Sequence, residues 1–366
     1  MTSVVNTQIQ IDKSHLEQCK TVQQSIDYNS LGTDQVVLEV ESFGFSANNI
    51  TYALMGDKMG YWGFFPADDG YGILPIWGFA TVVFSNHSDI KVGEKVFGYL
   101  PMASHIVITA GEVSGASFYD VDPARKSISS VYDQYVRCAV DPGYRADKED
   151  WQLNFRPLFM TSFVLDDYVG EHITANTKAV ILTSASSKTA YGAGFLLKHF
   201  KQERGGQYEV IGLTSAHNVE FTKNCGCYDN VLSYEDYAAL QRHDNTIILD
   251  FAGNKPLLLN LQSYLGDAMQ AMIFIGATDV ESQKESFAGE LRGELFFAPS
   301  QVKKRTKEWG GSGFMQKYAM GWHAFSSHIE PVLSTTHFKG VDAITDLYRN
   351  GLEGKFETDK MYVVTF

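Results

Sequence analysis

The hydrophobic pattern divides the chain into two parts with different periodicities. From residue 36 to residue 86, apolar and polar side chains alternate in short runs that are separated by glycines. Such alternation is typical of strands with one buried face. From residue 179 the apolar runs are continuous, and each is followed by a longer segment with helical periodicity. Continuous apolar runs indicate strands that are buried on both faces of a parallel sheet.

The second part predicts strands that alternate with helices. The predicted strands are KAVILTSA, EVIGLTS, DNVLS, TIILDFAG and AMIFIGAT, and the predicted helices are TAYGAGFLLKHFKQ, HNVEFTKNCG and KPLLLNLQSYL. Parallel strands need connections of a dozen or more residues, and the helices fill most of these gaps. The order therefore predicts a doubly wound parallel sheet. A glycine-rich bend in EWGGSGFMQ, a helix near residues 341–349 and a closing strand KMYVVTF are expected to follow.

The two patterned parts are joined by residues 117–157, which are polar, aromatic and interrupted by prolines. This composition favours a long connection, and we expect one helix within it, around residues 129–138.

Composition and charge limit the class of protein. With 366 residues, of which 44% are hydrophobic, the chain is long enough for two folded domains. The net charge is 30 − 43 = −13, which disfavours nucleic acid and anionic membranes as partners. No window approaches the about 18 apolar residues of a membrane span, so we expect a cytoplasmic protein. The four cysteines are too few and too scattered for a disulfide framework.

The turn between the first continuous strand and its helix, residues 183–190, is the first candidate site. In a doubly wound sheet this turn normally binds a phosphate at the helix N-terminus. The GxGxxG pattern is absent, but five of the eight residues carry a hydroxyl and Lys188 carries an ammonium. These groups predict charge-assisted bonds to a diphosphate. The alternative is an ordinary Ser/Thr helix cap.

The next strand ends at Thr214, Ser215 and Asn218, where folds selective for NAD place an acidic residue. The absence of an acid here favours NADPH, because short neutral donors do not repel a 2′-phosphate. A capped helix start explains the same residues without a ligand.

Taken together, these segments resemble the medium-chain dehydrogenase/reductase superfamily, especially its zinc-independent quinone oxidoreductase branch. The resemblance covers nearly the whole chain. It is carried by VILTSASSKTAYG, EVIGLTSAHN, GCYDNVLSY, LDFAGN, MIFIGATD, GFSANN and KVGEKVFGYLP. The SASSKTAYG turn also resembles that of a poorly characterised subgroup. The resemblance implies a GroES-like β-rich catalytic domain and a Rossmann domain, with residues 1–158 and 299–366 in the first and residues 159–298 in the second.

The resemblance also implies the residues that bind the cofactor. The diphosphate would contact Ser186, Ser187, Lys188 and Thr189, the adenosine ribose Thr214, Ser215 and Asn218, and the rest of the adenosine Tyr234. The nicotinamide half would be bordered by Thr161, Gly253, Gly276 and Thr278. The glycines at these strand ends, Gly253 and Gly276, are equally explained by tight turns.

Departures from the superfamily pattern change the expected chemistry. Ser46 stands where zinc-dependent members carry a cysteine, and the sequence IWGF stands where they carry GHE. These side chains do not hold a catalytic zinc, so no metal is expected. The glycines of the usual AxxGGVG turn are replaced by Lys188, Thr189 and Tyr191.

Without a metal, hydride delivery to an electron-poor carbon needs hydrogen-bond donors and a proton source. The expected catalytic residues are Asn49 and Tyr52, together with Tyr132, which could close over the substrate as an alternative to Tyr135. Tyr61 and Trp62 are candidate walls for a flat substrate, although aromatic side chains in a core would give the same pattern. His105, on an apparent strand, is better explained as a satisfied histidine than as an acid.

These expectations describe an NADPH-dependent, zinc-independent reductase of conjugated carbonyl compounds or quinones, with the cofactor in a cleft between the domains. The superfamily branch implies a homodimer, with AMIFIGAT as its edge strand. Two alternatives stay open. One is a nucleotide-binding protein that serves as a sensor or structural subunit without turnover, and the other is a lyase or non-redox enzyme that uses the same cleft.

Overall fold

The structure, a computed structural model, describes residues 2–125, 129–241, 243–251, 253–275 and 291–366. The chain forms two compact units. Unit 1 contains Met1–Asn154 and Ser334–Phe366, and unit 2 contains Phe155–Leu333. The mixed α/β fold class is as predicted, with a β-rich unit and a parallel-sheet unit.

Unit 1 is built from mainly antiparallel strands around an apolar core. Numbered along the whole chain, its strands are β1 Ser3–Asp12, β2 Cys19–Asp27, β3 Gln35–Phe45, β4 Tyr71–Ile73, β5 Pro75–Ser85, β6 Lys95–Pro101, β7 His105–Gly111, β8 Ser117–Asp120, β9 Gln134–Arg137, β16 Ser334–Lys339 and β17 Lys360–Thr365. Its helices are α1 Ala47–Leu54 and α7 Val341–Leu352. One sheet has the order β2-β1-β4, and the other has the order β16-β17-β3-β5-β6-β9-β8-β7. The pair β16–β17 is parallel. Strand β3 also pairs with β7. The closed barrel therefore consists of β3, β5, β6, β9, β8 and β7, in that order.

The helix predicted around residues 129–138 is wrong. The described residues there form a 3-10 turn, Ser130–Tyr132, and then β9, which pairs with β6 and with β8, before a second 3-10 turn at Cys138–Val140. Tyr135 and Val136 favour extended backbone, and the Tyr135 ring is buried in the barrel. The helix of this region begins later, at Glu149, and extends through Pro157 without ending.

Unit 2 contains the predicted doubly wound sheet. Its strands are β10 Ala179–Leu182, β11 Glu209–Thr214, β12 Asn230–Ser233, β13 Thr246–Asp250, β14 Met269–Phe274 and β15 Glu294–Leu295. They are parallel and lie in the order β12-β11-β10-β13-β14-β15. The helices of the second part of the fold are α2 Glu149–His172, α3 Lys188–His199, α4 Val219–Asn224, α5 Lys255–Leu265 and α6 Ala298–Ile329. Each strand and helix predicted from residue 179 to residue 275 is present.

Two details of unit 2 differ from the expectations. The strand AMIFIGAT is not an edge strand, because β14 pairs with β13 on one side and with β15 on the other. Helix α6 belongs to unit 2, whereas the sequence placed residues after 298 in the first domain. The reason is aromatic packing, since Trp322 and Phe325 of α6 lie 5.4 Å and 4.8 Å from the ring of Phe159 on α2. The predicted glycine bend is present in α6 at Gly310, whose φ is 73°.

Candidate functional site

The turn between β10 and α3, residues 183–187, contains a backbone conformation that a glycine normally adopts. Ser184 has a φ of +48°, which a residue with a β-carbon adopts at a cost of about 1–2 kcal/mol. The Ser184 N–H donates a hydrogen bond of 3.1 Å to the hydroxyl of Tyr234, which follows β12. Burial raises the pKa of Tyr234, so its hydroxyl stays neutral at physiological pH. Tyr234 therefore holds the turn in the conformation that the missing glycines would otherwise permit.

Further hydrogen bonds attach the turn to β11 and to the segment that precedes β12. The Tyr228 hydroxyl donates to the carbonyl of Ala185 at 2.9 Å, and the Ala185 N–H donates to the Leu213 carbonyl at 3.0 Å. The Thr214 hydroxyl donates to Oγ of Ser186 at 3.1 Å. The turn lies so close to β11 that a β-carbon at Gly212 would be 2.9 Å from Cβ of Ala185. A glycine on the neighbouring strand thus permits the close approach.

Thr183 and Asp250 join the turn to the end of β13. The Thr183 hydroxyl donates to Oδ1 of Asp250 at 2.6 Å and accepts from the N–H of Phe251 at 3.0 Å. Oδ2 of Asp250 accepts from the N–H of Gly253 at 3.0 Å. Gly253 has a φ of +64°, so a tight turn explains this glycine. The Thr183 hydroxyl is fully buried and structural, which leaves the later residues of the turn for a ligand.

The groups that remain for an anion lie at the N-terminus of α3. Ser187 is the N-cap of the helix, and its Oγ accepts from the N–H of Ala190, which confirms the cap interpretation for this residue. The N–H group of Thr189 is in the first turn of α3, where the N–H groups of a helix have no acceptor within the helix itself. Nζ of Lys188 lies 5.8 Å from the centre of the Phe155 ring in the same unit. The first N–H groups of the helix, the helix dipole and an ammonium together form an environment that favours an anion.

The other predicted adenosine residues lie at the same edge of the sheet. Ser215 and Asn218 follow β11 and are partly exposed, and Nδ2 of Asn218 donates to Oγ of Ser215 at 3.1 Å. Nε2 of His217 lies 3.4 Å from the same oxygen. The register of β10, β11 and β12 places these residues beside Thr214 and Tyr234. The structure therefore gathers the predicted diphosphate and adenosine residues at one edge of unit 2.

The predicted nicotinamide residues are less completely described. Thr161 lies in the middle of α2, partly buried, and not at a helix start. Its neighbour Ser162, which sequence reasoning missed, is fully buried and donates to the Thr189 carbonyl at 2.8 Å. Gly276 and Thr278 lie outside the described residues.

Unit 1 brings the predicted catalytic tyrosines into a cluster of aromatic rings. This aromatic cluster consists of Tyr52, Tyr61, Phe64, Trp77, Tyr99 and Tyr132. The Tyr52 ring lies 4.6 Å from that of Tyr61, and the Tyr99 ring lies 4.7 Å from that of Tyr132 and 4.9 Å from that of Trp77. Trp62 belongs to the same hydrophobic core, but its ring packs over Gly72 and Gly56.

Hydrogen bonds and burial determine the ionisation of the cluster. Burial raises the pKa of Tyr52, and hydrogen bonds from Trp77, Asn48 and Tyr99 oppose that rise. Burial also raises the pKa of Tyr61 and of Tyr132, and a hydrogen bond from Tyr61 partly lowers the pKa of Tyr132. All three phenols are neutral at physiological pH and can therefore donate a proton.

The predicted catalytic residue Asn49, and the side chains of His105 and Tyr135 that were considered beside it, have structural partners. Oδ1 of Asn49 accepts from the N–H of Ser46 at 2.9 Å in a capping box at the start of α1, and its Nδ2 reaches the Pro75 carbonyl at 3.5 Å. Nδ1 of His105 lies 3.0 Å from Oγ of Ser104, and burial lowers the pKa of His105. Tyr135 donates to the Tyr99 carbonyl at 3.3 Å behind the cluster. Tyr52 is thus the polar residue of α1 that belongs to the cluster.

The described residues contain no group of three or more His, Cys, Asp or Glu side chains that could hold a metal ion. In the same part of the chain, no helix combines the length and the apolar character needed to cross a membrane.

A matched pair of tyrosines tests the hydrogen bond between residue 228 and the β10–α3 turn. Tyr228→Phe removes the donor to the Ala185 carbonyl, so we expect the free energy of unfolding to fall by about 1–3 kcal/mol. Tyr191→Phe is the control, because the Tyr191 hydroxyl is buried without a partner among the described residues. We expect this control to be neutral or slightly stabilising. Urea denaturation of both variants makes the comparison, and equal losses would contradict the assigned role of Tyr228.

Comparison with known proteins gives a family and a set of structures with the same fold. No curated protein matches the chain. CurA from Vibrio vulnificus, solved with NADPH, is 13% identical, with a TM-score of 0.61 and 98% of each chain covered. Etr1p, solved with NADP and crotonyl-CoA, is 10% identical, with a TM-score of 0.58 and coverage of 99% of this chain and 100% of its own. The quinone oxidoreductase from Coxiella burnetii is 12% identical, with a TM-score of 0.57 and the same coverage.

At these identities the three structures establish the fold. The sequence profile of the family described as "Protein of unknown function (DUF2855)" matches residues 43–357. Since the match spans most of the chain, the protein belongs to the DUF2855 family.

Proposed function

We propose that this protein is an NADPH-dependent, zinc-independent oxidoreductase of the medium-chain dehydrogenase/reductase type, which reduces a conjugated carbonyl compound or a quinone. The observation that carries the proposal is the β10–α3 turn of unit 2. It lacks glycines, but Tyr234, Tyr228 and Thr214 hold it in place beside β11, with the N-terminus of α3 directly after it. This arrangement fits the diphosphate of a dinucleotide.

The end of β11 supports NADPH as the dinucleotide. Thr214, Ser215 and Asn218 present hydroxyl and amide groups, and the sequence from 214 to 218 contains no carboxylate that would repel a 2′-phosphate. Two of the structures with this fold, CurA and Etr1p, were solved with NADPH or NADP. Ser186, Ser187, Lys188 and Thr189 would contact the diphosphate, while Gly253 and Thr161, together with Gly276 and Thr278, would border the nicotinamide.

The bound cofactor would supply a hydride. The aromatic cluster of unit 1 would supply a proton donor and rings that contact the substrate. Tyr52 is the proposed proton donor to the carbonyl oxygen, because its phenol is neutral and hydrogen-bonded in a fixed position. Tyr61 and Tyr132 would contact a flat substrate through their rings. The cluster offers rings and hydroxyls, which favours a neutral conjugated substrate.

The remaining proposals concern assembly and location. We propose that the protein is a homodimer, as the superfamily branch implies. All four cysteines are free, which fits a reducing compartment such as the cytoplasm.

The test of the cofactor site is the substitution Lys188→Ala. Loss of the ammonium at the helix start should weaken the binding of both NADPH and NADH about tenfold, because both nucleotides carry the diphosphate that Lys188 is proposed to contact. Titration of both reduced nucleotides, followed by their fluorescence, measures the effect. The exposed Lys223, on α4, provides a control of the same charge, and Lys223→Ala should leave both affinities unchanged. Unchanged affinities for both nucleotides in Lys188→Ala would contradict the assignment.

Turnover is tested separately from binding. We expect oxidation of NADPH in the presence of at least one member of a panel of enones, enoyl thioesters and quinones. Tight binding of NADPH without any oxidation across the panel would favour the second function, a nucleotide-binding protein without turnover. Absence of binding to either nucleotide would overturn both.

A further inference from the structure

The Tyr52 hydroxyl has two fixed N–H donors, and this observation extends the proposed function, on which the inference below rests. Nδ2 of Asn48 lies 2.7 Å from the Tyr52 oxygen, and Nε1 of Trp77 lies 3.3 Å from it. Neither group can accept a hydrogen bond, because an indole N–H and an amide NH₂ only donate. Both bonds therefore end on the lone pairs of the phenol oxygen.

A phenol whose lone pairs are occupied by donors has its own hydrogen left to donate. Of the neighbouring phenols, Tyr99 acts as a donor toward the Tyr52 oxygen and not as an acceptor, because their contact lowers the pKa of Tyr52 and raises that of Tyr99. The titratable groups that face it from the neighbouring elements are the phenols of Tyr61, Tyr99 and Tyr132. With the two N–H groups in place, the O–H bond is turned away from Asn48 and Trp77.

The two donors are themselves held in place. Asn48 is in the first turn of α1, where its own N–H donates to Oγ of the N-cap Ser46 at 3.3 Å. One turn later on the same helix, Tyr52 is at the spacing at which side chains meet. Trp77, on β5, stacks on Phe97 at 5.8 Å, which fixes the direction of its indole N–H. The orientation of the Tyr52 hydroxyl is therefore built into α1 and β5.

We propose that Asn48 and Trp77 are positioning residues that direct the Tyr52 O–H toward the substrate oxygen. In the step that they serve, two electrons arrive at the conjugated carbon as hydride from the reduced nicotinamide, and electron density moves to the carbonyl oxygen. The O–H bond of Tyr52 then breaks as its proton passes to that oxygen, and the phenolate takes a proton from water. The N–H bonds of Asn48 and Trp77 stabilise the phenolate while the charge lasts.

The sharpest test is Asn48→Asp, which has nearly the same shape but replaces a donor with an acceptor. The Tyr52 O–H would turn to the new carboxylate, so kcat should fall about 100-fold with KM within about threefold, as expected for the loss of a general acid. An Asp in the first turn of a helix favours folding, so the variant should remain stable. Asn350→Asp, on exposed α7, adds the same charge elsewhere in unit 1 and should leave kcat unchanged.

Trp77→Phe tests the second donor. It keeps the stacking on Phe97 and removes only the N–H, so kcat should fall about threefold to tenfold with unchanged KM. A structural role would instead lower the unfolding midpoint, which is measured in parallel. Equal kcat values for Asn48→Asp, Trp77→Phe and the unaltered protein would overturn the proposal.

A readout without cofactor separates this inference from the proposed reductase activity. In protein labelled with ¹³Cζ-tyrosine, Tyr52→Phe identifies the Tyr52 signal, and its chemical shift at neutral pH reports the hydrogen bonds to the phenol oxygen. Asn48→Asp and Trp77→Phe should each shift this signal, and Asn350→Asp should not. An unmoved signal would overturn the positioning role even if NADPH is oxidised. If the signal moves but the protein oxidises no NADPH, the positioning of the Tyr52 hydroxyl by Asn48 and Trp77 is supported and only the proposed reductase activity is excluded.

Discussion

Replacement of Arg125 by methionine is expected to lower the free energy of unfolding by about 3–5 kcal/mol, the usual cost of breaking a buried ion pair. The Arg125 guanidinium is 9% exposed and contacts the carboxylates of Asp120 at 3.3 Å and Asp133 at 2.9 Å. It also donates to the Tyr135 hydroxyl at 2.9 Å and to the Tyr99 carbonyl at 3.2 Å. The variant would leave a buried carboxylate without its cation.

A second arginine in the same unit provides the control. Arg145 pairs with Asp147 at 2.6 Å, but about half of each side chain or more is exposed. Exposed pairs contribute about 0–1 kcal/mol, so Arg145→Met should change the unfolding free energy by no more than that. Urea denaturation of the two variants measures the difference. A loss for Arg125→Met no greater than for Arg145→Met would mean that the buried pair does not stabilise unit 1.

The pH dependence of the same variant has a definite sign. Burial raises the pKa of Asp120 above its ordinary value, and Arg125 opposes the rise. Without Arg125 the pKa of Asp120 in the folded protein should rise further, so the folded state binds a proton more tightly than the unfolded state. The loss of unfolding free energy in Arg125→Met is therefore largest at neutral pH, and it becomes smaller as the pH falls through the pKa of Asp120. Denaturation at several pH values checks the trend, and a constant deficit would exclude Asp120 as its source.

Arg125 also contacts members of the aromatic cluster, so the same residue affects both the stability of unit 1 and the proposed catalytic residues. Arg125 donates to the backbone carbonyls of both Tyr99 and Tyr132, two members of the cluster. Its guanidinium lies 5.8 Å from the ring of Phe64, a third member. The positions of these rings thus depend on a cation that is not itself part of the cluster.

The sequence predicted the parallel sheet because each strand of unit 2 is marked by its own apolar run. The run at AVIL is buried on both faces as β10, and the register with β11 and β13 follows from its central place. The helix predicted at residues 129–138 was wrong because the apolar pattern there is short and the segment is held by distant strands. Tyr135 is fixed by pairing with distant strands, and a short local pattern of apolar residues fits a helix or a strand equally.

The predicted site residues share an edge of the sheet, but their partners were not visible in the sequence. Tyr234 was expected at the adenosine, and it also bonds to Ser184, 50 residues away. Tyr228, whose hydroxyl meets the Ala185 carbonyl 43 residues away, was not singled out. Periodicity shows which face of an element is buried but not which distant group meets it there, so hydrogen bonds of this range need the folded structure.

The close approach of the β10–α3 turn to β11 gives the second large prediction, Gly212→Ala. The new β-carbon would lie 2.9 Å from Cβ of Ala185 and 3.1 Å from Cγ of Tyr228, so the turn must move. Overpacking of this kind costs about 1–3 kcal/mol. If NADPH binding requires the turn in its native position, the cost of restoring that position lowers the affinity. We then expect NADPH binding to weaken about 5–150-fold, measured by fluorescence titration.

A double variant distinguishes displacement of the turn from general damage to β11. Ala185→Gly removes the methyl group that the new β-carbon meets first, so Gly212→Ala with Ala185→Gly should recover part of the NADPH affinity. Gly311→Ala is the control in unit 2, since a β-carbon at Gly311 meets no atom within 4 Å among the described residues. Loss of affinity in Gly212→Ala without recovery in the double variant would show that the cofactor does not depend on the position of this turn. Undiminished affinity in Gly212→Ala would remove the turn from the proposed site altogether.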